Sequence, residues 1–285
     1  MSVLLVGAVL ALAAPQQPPV FRAEVGVVRV EVLVTRKGET VRGLTAADFE
    51  LRDRGRPRLL EQVLEEQAPV DALLALDMSG SVRGPKLDAL RSAARAFLDG
   101  LRAGESAALL AFREEILLPE PFTPDLARLH RALANAQPGG STALCDAVYA
   151  ALRLREPGPR RTAIVVFSDG VDNLSWLTAS QVVEAASRSD VIVYAVAVRD
   201  RGERASSFLR DVVRATGGQL FEASSERDLP TRFLDVLADI RSRYILSYAV
   251  DAADAPGWHA LEVRLKRGKG DVLARPGYWR YAPTP

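Results

Sequence analysis

Four short runs, Val70 to Leu76, Ala107 to Phe112, Thr162 to Phe167 and Val191 to Val198, are apolar almost throughout. A strand that is apolar at every position has both faces covered, the condition of a parallel sheet packed between helices. The segments between the runs carry helical spacing, in Leu87, Leu90, Ala94, Phe97, Leu98 and Leu101 and again in Leu229, Phe233, Val236, Leu237 and Ile240. Residues 68–243 are therefore expected to form a doubly wound, Rossmann-like α/β unit, a mostly parallel sheet with helices on both faces. Ile116 to Leu118 is expected to add a short edge strand.

The flanks follow another rule. Val27 to Thr35 alternates apolar and polar residues, and Arg36-Lys37-Gly38-Glu39 then gives a turn, both marks of antiparallel structure. Tyr244 to Val250, Leu261 to Leu265 and Asp271 to Ala274 also read as strands, the first two separated by a loop from Asp251 to Gly257. Each flank, at about 40 to 50 residues, is small for a core of its own. The expectation is that residues 20–67 and 244–285 pair into one small, discontinuous antiparallel β domain.

Residues 1–14, an uncharged apolar run ending in Ala-Leu-Ala-Ala and followed by a polar, Pro-rich stretch, read as a secretory signal cleaved after Ala13 or Ala14, although no Lys or Arg precedes the run. The run is short for a bilayer span, so the mature chain is expected to be exported without a membrane span, to a periplasmic or extracellular setting. Cys145 is the only cysteine, and an exported fold of this kind must rely on its core instead of a disulfide. Basic and acidic residues number 37 and 36 and are interleaved, which leaves no field to recruit nucleic acid or anionic lipid. Only four of the basic residues are Lys (37, 86, 266 and 269), an Arg excess to which no function is assigned.

Chemistry is concentrated in three loops. Asp77-Met78-Ser79-Gly80-Ser81 follows the first buried strand, and loops at the carboxyl ends of such strands form the ligand crevice. If the backbone stays extended, Asp77, Ser79 and Ser81 project to one side while Met78 turns to the core, and Gly80 permits a tight turn. Gly139-Gly140-Ser141-Thr142 precedes a helix beginning near Ala143, and Phe167-Ser168-Asp169-Gly170 follows another buried strand. Taken singly, the first could be a helix cap and the others ordinary turns. Asp146 and Asp172 lie close by and read as caps or solvated side chains, and Cys145 as a small core residue.

Together, in order and context, the DxSxS at 77–81, Thr142 and Asp169 resemble the metal-ion-dependent adhesion site of von Willebrand factor A (VWA) domains. The resemblance implies one hard divalent ion, Mg²⁺ or else Mn²⁺ or Ca²⁺, held by five oxygen-bearing side chains. It implies direct ligation by Ser79, Ser81 and sometimes Thr142, with Asp77 and Asp169 acting through water, and an open position for the Asp or Glu carboxylate of a partner protein. Gly43-Leu44-Thr45-Ala46-Ala47-Asp48-Phe49 and Arg275-Pro276-Gly277-Tyr278 resemble, more narrowly, the bacterial VWFA-related proteins of acidobacterial type. In physical terms Thr45 is expected to cap a short turn, and Phe49 and Tyr278 to fill the β core.

A non-enzymatic binding module is thus the expected function. A Mg²⁺-dependent hydrolase and a structural protein with a vestigial site are the alternatives. Against catalysis, His130 and His259 are the only histidines, neither falls in a strand-end loop of the α/β unit, and there is no GxSxG or HExxH motif.

Overall fold

The computed structural model describes residues 26–65, 69–154, 160–198, 206–250 and 254–282. The expected signal segment, residues 1–14, lies outside them, as do residues 251–253 of the expected loop. The amino-terminal flank forms β1 (Gly26–Arg36), β2 (Glu39–Thr40), β3 (Phe49–Asp53), β4 (Arg56–Arg58) and β5 (Gln62–Glu65). The central part follows as β6 (Val70–Asp77), α1 (Pro85–Asp99), β7 (Ser106–Phe112), β8 (Ile116–Thr123), α2 (Leu126–Asn135), α3 (Leu144–Arg153), β9 (Arg161–Phe167), α4 (Ala179–Arg188), β10 (Ile192–Val198), α5 (Ser207–Thr216), β11 (Leu220–Ala223) and α6 (Leu229–Ile240). The carboxyl-terminal flank gives β12 (Tyr244–Val250), β13 (Gly257–Leu265), β14 (Asp271–Ala274) and β15 (Gly277–Arg280).

The central sheet has the order β11-β10-β9-β6-β7-β8 and is parallel except for β8. The β6 strand is buried at all eight positions, and its residues alternate between two cores. Ala72, Leu74 and Leu76 pack with Leu90, Phe97, Leu133 and Phe233 of α1, α2 and α6. Leu73 and Ala75 pack with Val148, Val182 and Leu209 of α3, α4 and α5. This two-sided burial is why the run reads as continuous. The edge strand β8 is longer than its apolar start suggests, running through Pro119 and Pro121 to Thr123. An edge accepts prolines because it has one unpaired side, and the register with β7 shifts twice where they lie.

The two flanks pair with each other. One sheet has the order β14-β1-β12-β5, the other β15-β13-β3-β4. Val30, Val32, Tyr244 and Tyr248 from the first meet Phe49, Leu51 and Leu261 from the second in one core, with the Phe49 and Tyr244 rings edge to face at 5.6 Å. Tyr278 packs partly buried against it. Thr45 opens the turn at 46–48, its N–H and hydroxyl both donating to Asp48. At the seam with the central part, the wholly buried Arg243 donates to Tyr194 Oη (2.8 Å), Asp239 Oδ1 (2.9 Å) and the Gly217 carbonyl (2.8 Å). Arg161 pairs with Glu31, and the Arg188 guanidinium stacks 4.1 Å from the Trp279 ring centroid.

Candidate metal centre

The sheet order decides where the loops meet. The chain leaves β6 for β7 on one side and returns to β9 on the other, so the carboxyl ends of β6 and β9 flank the point where strand order reverses. Asp77 is the last residue of β6, and Asp169 stands two residues beyond β9. The Thr142 loop is pinned against the first by Gly80 N–H to Gly140 O (3.0 Å) and Gly139 N–H to Met78 O (2.8 Å). A Cβ on Gly80 would lie 3.2 Å from Gly140 O, so glycine permits this approach.

Within the first loop Met78 turns inward, 2% exposed, as expected. The backbone does not stay extended to Ser81, however. Val82 N–H donates to Ser79 O at 3.0 Å, closing a turn that folds Ser81 back toward Ser79. The two hydroxyl oxygens stand 3.1 Å apart, and Ser81 Oγ donates to Asp169 Oδ2 at 3.0 Å. Asp77 lies behind this row with no exposed surface, accepting Ser79 N–H on Oδ1 (2.9 Å) and Ser168 Oγ–H on Oδ2 (2.8 Å). Burial pushes the Asp77 carboxyl above the ordinary carboxylate range, with the Asp169 charge adding and the hydrogen bonds from Ser79 and Ser168 opposing.

Direct hydrogen bonds thus join Asp77, Ser79, Ser81 and Asp169. Thr142, 5% exposed, is tied in through its backbone: its N–H donates to Asn173 Oδ1 at 2.9 Å, and its carbonyl accepts from Asn173 and Leu174. Gly170 holds φ at +86°, and a Cβ there would sit 2.4 Å from Ser206 Cβ, so only glycine turns the chain after Asp169 without displacing Ser206.

Asp146 and Asp172 act as braces. Asp172 accepts the Cys145 N–H near the start of α3 at 2.7 Å; burial raises its carboxyl, but the hydrogen bonds from Cys145 and Ser175 together hold it below the usual range. Asp146 accepts the N–H groups of Trp176 and Leu177, each at 2.9 Å. Cys145 is buried, as expected.

Three contributors escaped the sequence reading. Ser168 was quoted within its loop but assigned no part, and Asn173 carries no motif. Lys86, at the second position of α1, places Nζ 3.2 Å from Asp169 Oδ2. Its reach depends on the angle at which α1 leaves the loop, which no local pattern encodes.

The donor set suits a hard divalent cation, since two carboxylates and three hydroxyls offer oxygen alone. Among the described residues no three His, Cys, Asp or Glu converge, so the hydroxyls are indispensable to any such site.

The von Willebrand factor type A domain family matches residues 72–171, a span that contains all five side chains. No curated protein matches the chain in sequence. Among solved structures, a von Willebrand factor type A protein from Catenulispora acidiphila is 10% identical and covers 92% of this chain and 75% of its own, with a TM-score of 0.54. The vWF domain of the type V pili tip protein Mfa5 from Porphyromonas gingivalis is 14% identical, covering 61% of this chain and 95% of its own at a TM-score of 0.51. Proximal thread matrix protein 1 from the mussel byssus, with a zinc-occupied MIDAS motif, is 16% identical and covers 67% and 50%, at 0.55. By the match over residues 72–171 and by its fold, the chain is similar to von Willebrand factor type A domains.

Proposed function

We propose that the protein is a divalent-cation-dependent, non-catalytic protein-binding module, exported to a bacterial periplasm or cell exterior, which takes up an Asp or Glu carboxylate of a partner protein. We assign the ion to Asp77, Ser79, Ser81, Thr142 and Asp169, with Mg²⁺ the first candidate and Mn²⁺ or Ca²⁺ the others. In this reading residues 68–243 are the VWA domain, and 20–67 with 244–285 are one β domain of a VWFA-related, acidobacterial-type protein.

The observation that carries the reading is the row of oxygens Ser79, Ser81 and Asp169, at 3.1 and 3.0 Å, with buried Asp77 behind it. Bound there, the ion supplies an electrophilic position for a carboxylate oxygen. The chain's own residues do the rest. Ser79 N–H and Ser168 Oγ–H orient Asp77, and Gly80 and Gly140 lock two loops together.

The surroundings favour a protein partner. Val171 (53%), Leu174 (47%) and Trp176 (95%) expose apolar surface in the loop after Asp169. A cavity of about 380 Å³ opens beside the first loop, lined by Met78, Phe112, Leu117 and Pro119 among others. No histidine base stands there for hydrolysis, because His130 pairs with Asp99 and His259 is buried against Asp53 in the β sandwich. A pilus tip protein among the structural neighbours agrees with an exported binding role, and the zinc-occupied motif of the mussel protein with a metal at this position of the fold. Among the described residues no helix is long and apolar enough to cross a membrane.

Water-proton relaxation of the Mn²⁺-loaded protein tests the open position. Adding acetate should displace exchangeable water from the ion and lower the enhancement. An enhancement unchanged by acetate would contradict carboxylate capture.

A further inference from the structure

Resting on the metal-site reading, we infer that Lys86 is a tethered competitor of the divalent cation and sets the ion concentration at which the site fills. Its ammonium and the Ser81 hydroxyl address the same oxygen, Asp169 Oδ2, at 3.2 and 3.0 Å. Both charged side chains are mostly covered, 15% exposed for Lys86 and 17% for Asp169, so solvent screens the contact only in part. That oxygen ends the row Ser79, Ser81, Asp169. A divalent ion seated in the row therefore meets a positive charge already paired to one of its ligands, and filling the site is an exchange in which Lys86 must give way.

The position of Lys86 points the same way. It occupies the first turn of α1, where the helix dipole disfavours a cation. What holds it there is Asp169, across the crevice, and not the helix. The residue type also fits the exchange. Its ammonium is a compact, strongly hydrated charge on a flexible stem, easily withdrawn into water, whereas a guanidinium would clamp the carboxylate through a planar fork. Exchange on this scheme is between cations on one carboxylate, and no covalent bond changes.

The test is a Mn²⁺ titration of the full chain, followed by the free-ion signal in electron paramagnetic resonance, for the parent, Lys86→Met and Lys86→Arg. Removing one like charge beside the site should tighten Mn²⁺ binding in Lys86→Met by about tenfold or more, while Lys86→Arg stays near the parent or weaker. A second readout separates competition from a general structural role. In chelator, Lys86→Met should unfold at a lower temperature than the parent, because Asp169 has lost its counter-ion, and saturating Mn²⁺ should close that gap. If the parent binds Mn²⁺ and Lys86→Met binds no tighter, the competitor role is overturned and the metal site stands. If neither binds Mn²⁺, both are overturned.

Discussion

Asp77 and Asp53 are both carboxylates without exposed surface, one at the end of the central sheet and one in the β sandwich, and their surroundings are opposite in kind. Asp53 is internally balanced. It contacts His259 Nδ1 at 2.9 Å and accepts hydroxyls from Tyr248 (3.0 Å) and Tyr278 (3.1 Å), while Arg58 lies 3.7 Å away and His259 Nε2 meets the Ala255 carbonyl at 2.9 Å. Asp77 has only neutral donors, Ser79 N–H and Ser168 Oγ–H, and the charge that acts on it is a second carboxylate, Asp169. A buried anion satisfied on every side is part of the framework. A buried anion facing another anion across a row of hydroxyls calls for a cation from outside, and Lys86 supplies one charge against two.

The largest effect should come from breaking the balanced cluster. His259→Ala leaves the Asp53 carboxylate buried without its nearest partner and should cost about 3 kcal/mol or more in chemical denaturation, with the response to Mg²⁺ unchanged. A loss below 1 kcal/mol would mean the two clusters differ less than their contacts suggest.

Next is Gly170→Ala. It forces an L-residue into positive φ against Ser206 and should cost about 1 to 2 kcal/mol. Unlike His259→Ala it should also weaken Mg²⁺ binding, since it moves Asp169. Calorimetric titration of the variant separates the two consequences.

Cys145 sharpens the comparison beneath the loops. Burial, with Asp172 beside it, pushes the thiol up to about 12 from an ordinary 9.0. A folded value above the unfolded one means full stability below the unfolded value and loss as pH climbs from about 9 towards about 12. At pH 8 a thiol reagent should label Cys145 only on unfolding; rapid labelling of the native protein would show that the braces around Asp172 open readily.

The smallest change in stability is expected for Trp176→Ala. The side chain is 95% exposed, so unfolding should shift by less than about 0.5 kcal/mol. A larger shift would show that the indole supports the loop, and a small one frees it for contact with a partner.

Much of this was legible in the sequence for physical reasons that can be named. Strands buried on both faces leave nearly continuous apolar runs, so Val70 to Leu76 and Thr162 to Phe167 were placed within a residue of β6 and β9. The five oxygen side chains stood out only jointly, as three loops that together resemble the VWA adhesion site; singly each read as a cap or an ordinary turn. What escaped depends on distant pairing. Asp53 and His259 are 206 positions apart, and Lys86 and Asp169 are 83 apart. The four-residue β11 has only one buried position and no run to betray it. The tight turn at Gly80 was expected, but the folding back of Ser81 toward Ser79 escaped, because alternation along a strand predicts side-chain direction only while the strand lasts.

The central claim is tested most directly by thermal unfolding of the full chain in Mg²⁺ and in chelator, alongside Asp77→Ala and Asp169→Ala. An ion bound only by the folded state at a hundredfold over its Kd adds about 2.7 kcal/mol, which for a chain of this size raises the midpoint by about 5 to 10 °C. The account predicts that rise in the parent and its loss in both variants, each still folded by circular dichroism. A parent indifferent to Mg²⁺, Mn²⁺ and Ca²⁺, or variants that respond as the parent does, would contradict it.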